Sequence, residues 1–102
     1  LMAEVREKLG AGPVYLSFDI DGIDPAFAPG TGTAEIGGLT STQGIEIIRG
    51  MRGLDVVGGD LVEVSPPYDP FGNTSVLAAN LLFEMLCILP GVRYDDKVKA
   101  IY

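Results

Sequence analysis

The sequence predicts an α/β chain with parallel strands. Helix-favouring and strand-favouring segments alternate along its 102 residues in the order helix, strand, helix, strand, helix, the pattern of strand–crossover–strand units. The first strand segment, 14–18, is nearly continuously apolar, as expected of a strand covered on both faces. Both strands also run into acidic residues and Gly/Pro-rich turns at their carboxyl ends, where open α/β sheets bind ligands.

Residues 2–9 are rich in helix formers, and Gly10, Gly12 and Pro13 end that helix. Val14-Tyr15-Leu16-Ser17-Phe18 is the first strand. Residues 21–39 are rich in Gly, Pro, Thr and small side chains, with Pro25 and Pro29, and predict a long loop of the kind that carries function. Thr40 or Ser41 caps a helix to about Met51, with Ile45, Ile47 and Ile48 on or near its apolar face. A second strand is expected over 55–64, where Gly58 and Gly59 mark close packing against a neighbour. Ser65-Pro66-Pro67-Tyr68-Asp69-Pro70 stops it. Asn73 or Thr74 caps a last helix from Ser75 to about Leu89; it is apolar almost all round and so expected to be buried. Two strands do not complete a parallel sheet, and the chain opens on Leu-Met. A fragment is therefore expected, with residues 1–92 as part of one domain and 93–102 as a polar tail.

A formal charge of −7 argues against nucleic acid as a partner, because phosphate contacts need Lys and Arg. The longest apolar stretch, 76–89, is interrupted by Asn80 and Glu84 and falls short of the roughly 20 residues of a membrane span. No basic-then-apolar signal peptide opens the chain. A soluble protein without a membrane partner is expected. The single cysteine, Cys87, precludes a disulfide within the chain and suits a reducing compartment. With no histidine, the chain cannot build a Ser-His or Cys-His pair alone.

The chemistry gathers at the strand ends. Alternation along an extended chain would turn Asp19 and Asp21 to one side, about 6–7 Å apart between Cα atoms. Such a pair is tolerable when water, donors or a cation sits between the carboxylates. Hard oxygen ligands suit magnesium, calcium or manganese; the alternative is a solvated pair entering a loop. Asp24 precedes Pro25 and reads as a turn residue. Glu63, between Val62 and Val64, either meets a ligand on the same rim or pairs with Arg49 or Arg52. Asp60 reads as a buried acceptor, and Cys87 as inert core. An EF-hand starting at Asp19 fails because its twelfth position is Gly30. Gly30-Thr31-Gly32 lacks the setting of a dinucleotide fingerprint.

Four motifs stand together: Ser17-Phe18-Asp19-Ile20-Asp21-Gly22-Ile23-Asp24-Pro25, Ala28-Pro29-Gly30-Thr31-Gly32-Thr33, Gly37-Gly38-Leu39-Thr40 and Val62-Glu63-Val64-Ser65-Pro66-Pro67-Tyr68-Asp69. Their combination, over residues 14–92, resembles the agmatinase branch of the arginase (ureohydrolase) family. The resemblance implies a carboxyl-terminal portion of a three-layer α/β/α fold around a parallel sheet, supplying its βαβα part. It implies hydrolysis of a guanidino compound, agmatine first, to urea and an amine, with two manganese ions and a bridging hydroxide. It also implies a homo-oligomer, trimer or hexamer, in the cytoplasm, or in the mitochondrion of an animal. By motif position, Asp19 and Asp21 match the family's metal-binding aspartates, and Glu63 matches the glutamate that contacts the guanidinium.

The departures bear on activity. The family's GGDH and DAHxD ligand motifs are absent, as is any histidine to shuttle protons. No catalytic residue is therefore assigned within this chain alone, and the isolated fragment is expected to be inactive. Ala34 stands where the family commonly has proline. Guanidinobutyrate or guanidinopropionate are the alternative substrates, and a non-catalytic truncated subunit is the alternative role. A haloacid-dehalogenase-like phosphatase also places a D-x-D pair after an apolar strand. It does not account for Gly22-Ile23-Asp24-Pro25 or for the Ser65–Asp69 turn.

Overall fold

The computed structural model describes residues 1–92; the tail expected over 93–102 lies outside them. The elements are α1 (Met2–Leu9), β1 (Pro13–Asp19), α2 (Ser41–Arg49), β2 (Asp55–Val62) and α3 (Asn73–Cys87), with short 3-10 turns at Ile20–Gly22 and Pro66–Tyr68. β1 and β2 pair in parallel, as the α/β alternation predicts. α2 forms the crossover between them.

Register runs Val14↔Val56, then Tyr15↔Gly58, to Asp19↔Val62, so Val57 has no opposite residue. This irregularity is a bulge, which re-aims side chains beyond it. Past it, Leu16 faces Gly59 and Phe18 faces Leu61. Gly59 is needed there. A Cβ on it would lie 2.9 Å from the Leu16 carbonyl oxygen and 3.5 Å from Met85 Sδ. The predicted close packing at Gly58-Gly59 is thus against β1 and α3.

Val14, Phe18 and Val56 of the sheet join Ile48 of α2 and Ala78, Leu81 and Met85 of α3 in one core. α2 starts with a capping box: the Thr40 hydroxyl accepts the Gln43 N–H, and the Gln43 side chain accepts the Thr40 N–H. Its Gly44 and Ile48 are buried. A Cβ at Gly44 would meet Ile23 Cδ1 at 2.8 Å, so the helix rests directly on the turn after β1. α2 and α3 are joined by Arg49, whose Nε and Nη2 donate to Glu84 Oε2 and Oε1 at 3.0 and 2.7 Å. α1 buries none of its residues. Its Arg6 donates to the carbonyls of Gly50 and Arg52.

Some expectations are corrected. Among the described residues β1 is covered on one face only, Tyr15 being 60% exposed. α3 is buried along one side only, leaving Val76, Phe83 and Leu86 between 55 and 71% exposed. Both follow from packing: α2 and α3 cover the Val14–Phe18 face, and within the described residues the Tyr15–Val57 face stays open. Cys87 is accordingly half-buried rather than core. β2 ends at Val62, two residues before the expected end at Val64.

Gly59→Ala is expected to cost about 1–3 kcal/mol in urea denaturation, because its Cβ meets rigid backbone. Gly58→Ala should cost less, because its Cβ meets only the edge of the exposed Tyr15 ring.

Candidate functional site

Parallel strands finish on the same edge of a sheet, and here the edge is acidic. Asp19, the last residue of β1, stands opposite Val62, the last of β2, and Glu63 follows immediately. Asp19, Asp21 and Glu63 thus share one rim, as their positions in the sequence predict. Strand alternation does not bring the two aspartates together, however. The chain leaves the strand at Ile20 and turns in a 3-10 step. Asp19 caps that turn, its Oδ1 accepting the Asp21 N–H at 3.0 Å. Fully buried Ile20 anchors the turn in the core. Asp21 Oδ2 accepts the Thr33 hydroxyl at 2.7 Å. One oxygen of each carboxylate is therefore oriented by a donor, and the other is a hard oxygen of the kind that could hold a hard cation.

The loop between β1 and α2 is tied at its base. Asp24 N–H donates to Leu39 O at 2.8 Å, and Leu39 N–H donates to Gly22 O at 2.9 Å. The Asp24 carboxylate accepts the N–H groups of Ala26 and Gly37. Those donors, Ala26 first, hold its carboxyl below the usual range. Asp24 is the turn residue the sequence predicts. A Cβ at Gly38 would lie 2.7 Å from Asp24 N, so the loop closes only over glycine.

Glu63 is exposed and sits at φ 72°, the only non-glycine residue at positive φ among those described. Left-handed backbone at a non-glycine residue costs on the order of 1–3 kcal/mol, and such residues cluster at functional sites. Burial in the strand therefore does not act on Glu63, and among the described residues the expected alternative, an ion pair with Arg49 or Arg52, is not found. Arg49 grips Glu84 instead.

Beyond Glu63, Ser65 N–H donates to Gly30 O at 2.7 Å, and Gly30 N–H donates to Thr74 Oγ1 at 2.8 Å. Neither Asn73 nor Thr74 caps α3. Gly72, in left-handed conformation, is its N-cap residue. Asp69 supplies the missing acceptors, taking the N–H groups of Thr74 and Ser75 and the Ser75 hydroxyl. The Ser75 hydroxyl is the main cause of its lowered pKa, with the Thr74 and Ser75 backbone donors adding to it. Thr33 received no individual role from the sequence, and Thr74 only that of a candidate helix cap. Their partners lie 12 and 44 residues away, beyond the reach of any local spacing rule.

Asp60 accepts the Ser17 hydroxyl at 2.6 Å and the Tyr15 hydroxyl at 2.8 Å, which lower its pKa, Ser17 most. It is an acceptor as expected, though half-buried on the open sheet face rather than enclosed. Among the described residues, no three His, Cys, Asp or Glu side chains gather closely enough to hold a metal. Asp19 and Asp21 fit two positions of a hard-metal site, not a complete one. No described helix is long and apolar enough to cross a membrane.

Residues 1–87 match the sequence pattern of the Arginase family. The chain is 79% identical over 92 residues to a guanidinobutyrase of Pseudomonas aeruginosa, covering 90% of this chain and 29% of that protein. It is 70% identical over 93 residues to a mitochondrial agmatinase of Gallus gallus, covering 91% of this chain and 27% of that protein. Among solved structures it superimposes on the proclavaminate amidino hydrolase from Streptomyces clavuligerus with a TM-score of 0.81. That match is at 50% identity and covers 83% of this chain and 28% of the other. The chain thus spans less than a third of the length of these relatives.

The Asp69 cap has a pH signature. Its folded pKa is lowered, so its contribution to stability is full above the ordinary carboxylate value of about 4. That contribution is lost as pH falls through the lowered value. Asp69→Asn should lower the urea midpoint at pH 7 and flatten the decline as pH falls below about 4. Parallel pH profiles for the two proteins would count against this account.

Proposed function

The chain belongs to the arginase family, and on that premise we propose that it supplies one side of the active site of a ureohydrolase. The reaction adds water to a guanidino compound and releases urea and an amine. The observation that carries the reading is the shared rim: Asp19, Asp21 and Glu63 at the carboxyl ends of two parallel strands, held by separate turns.

In this reading Asp19 and Asp21 would hold manganese through the oxygens not turned to Asp21 N–H and Thr33 Oγ1. Two manganese ions, when bound, would supply Lewis acidity and lower the pKa of water at the site. Glu63 faces the planar guanidinium and orients it by charge-assisted hydrogen bonds. Its exposed, left-handed position leaves the carboxylate free for that partner. Thr33 fixes the direction of Asp21 and so ties the loop to the metal side of the site. Remaining ligands and the proton shuttle come from residues other than those described.

Agmatine is the substrate we propose, in keeping with the acidic charge of −7. A second reading, a guanidino acid such as guanidinobutyrate, is favoured by the 79% identity to the guanidinobutyrase. The two differ in the far end of the substrate, cationic or carboxylate. The exposed Val76, Phe83 and Leu86 of α3 suit burial in a larger assembly, and a homo-oligomer belongs to the proposal.

The test replaces the matching segment of the Pseudomonas aeruginosa enzyme with residues 1–92 of this chain. Manganese-dependent urea release should survive, and comparing agmatine with guanidinobutyrate separates the two substrates. In the hybrid, Asp21→Ala should cut manganese affinity at least tenfold or so. Glu63→Gln should lower kcat/KM about 10–100-fold while leaving manganese content intact. Full activity in Asp21→Ala would overturn the metal assignment. The isolated 102-residue chain should release no urea from agmatine even with manganese added.

A further inference from the structure

Three segments far apart in sequence are chained through Gly30 to one buried hydroxyl. Thr74, at the start of α3, is completely inaccessible to solvent. Its Oγ1 accepts the N–H of Gly30, in the loop after the aspartate pair. Gly30 in turn accepts, through its carbonyl, the N–H of Ser65, two residues beyond Glu63. The contact leaves no spare room: a Cβ at Gly30 would lie 2.6 Å from Asp69 Cβ and 2.9 Å from Thr74 Cβ. The loop backbone is thus pressed against the first turn of α3, and the segment after β2 is hung from that loop.

Glu63 needs such a hold. A left-handed glutamate relaxes towards ordinary backbone unless its surroundings fix it. β2 fixes the chain before it, up to Val62. After it, the first long-range backbone tie is Ser65 to Gly30. We infer that Thr74 is a positioning residue for Glu63: by holding Gly30, and through Gly30 Ser65, it sets where the Glu63 carboxylate stands relative to Asp19 and Asp21. The geometric part stands by itself; the consequence for substrate rests on the ureohydrolase reading.

Amide hydrogen exchange on the full chain tests the geometry. Thr74→Val removes the acceptor at nearly constant volume. It should speed exchange at Gly30 and Ser65 by about fivefold or more, leaving the β1–β2 ladder amides unchanged. Thr74→Ser keeps the acceptor and should restore protection. Unchanged Ser65 exchange, uniform acceleration across the ladder, or a serine variant as unprotected as the valine variant would each overturn the inference. Should the valine variant not fold, the unsubstituted chain in low urea decides. Gly30 and Ser65 should then open together, with one dependence on denaturant; separate opening refutes the tie.

In the hybrid enzyme, Thr74→Val should raise KM for the guanidino substrate several-fold, with a smaller change in kcat and unaltered manganese content. If Glu63→Gln leaves KM untouched, the guanidinium role fails while the exchange result stands. If Glu63→Gln raises KM and Thr74→Val does not, the positioning role fails.

Discussion

The pairing of β1 with β2, parallel and in a single register, is the constraint on which the rest of the molecule hangs. Side chains alternate across a strand, so a slip of one residue would exchange core and open faces. Here the register is secured by a bulge at Val57 and by the bare backbone of Gly59 against Leu16. Because the strands run the same way, their carboxyl ends meet, and the residues that follow each strand become neighbours. An antiparallel pair would put Asp19 and Glu63 at opposite ends of the sheet.

From that register the site is assembled by turns rather than by the sheet itself. The 3-10 step at Ile20 brings Asp21 back towards Asp19, and the left-handed residue Glu63 takes the second strand out of the ladder. Both turns rest on a packed interior, through Ile20 in one case and the Gly30–Thr74 contact in the other. Acidic side chains therefore lie at the surface while their backbone is anchored from below. That arrangement keeps the charges solvated and their positions defined, which a metal or guanidinium partner would require.

The class of fold and the acidic rim were legible from local pattern: alternating elements, an apolar strand ending in Asp19 and Asp21, and Glu63 past a second one. Helix α2 was legible because a capping residue, Thr40, precedes Ile45, Ile47 and Ile48 at helical spacing; the Gln43 half of its capping box came only with the structure. What escaped depends on residues distant in the chain. Asp69, not Asn73 or Thr74, satisfies the start of α3, because Gly72 turns the chain back over it. The strand end at Val62 escaped because Val64 continues the apolar pattern while Glu63 breaks the backbone conformation. The half-exposed α3 was misjudged since composition reports what a helix prefers to touch, not what is there to touch it.

The loop base formed by Asp24, Gly38 and Leu39 separates two rates of change in such a protein. Its ends are stapled by backbone hydrogen bonds and by the Asp24 carboxylate, while Ile36 at its crest is 90% exposed. Lengthening or shortening a loop whose ends are already joined costs little additional chain entropy. The crest beyond Thr33 can therefore vary in length and sequence without shifting the aspartates beneath it. On the ureohydrolase reading proposed above, preference among substrates could diverge at that crest while the acidic rim stays constant, a division of labour built into how the loop is tied.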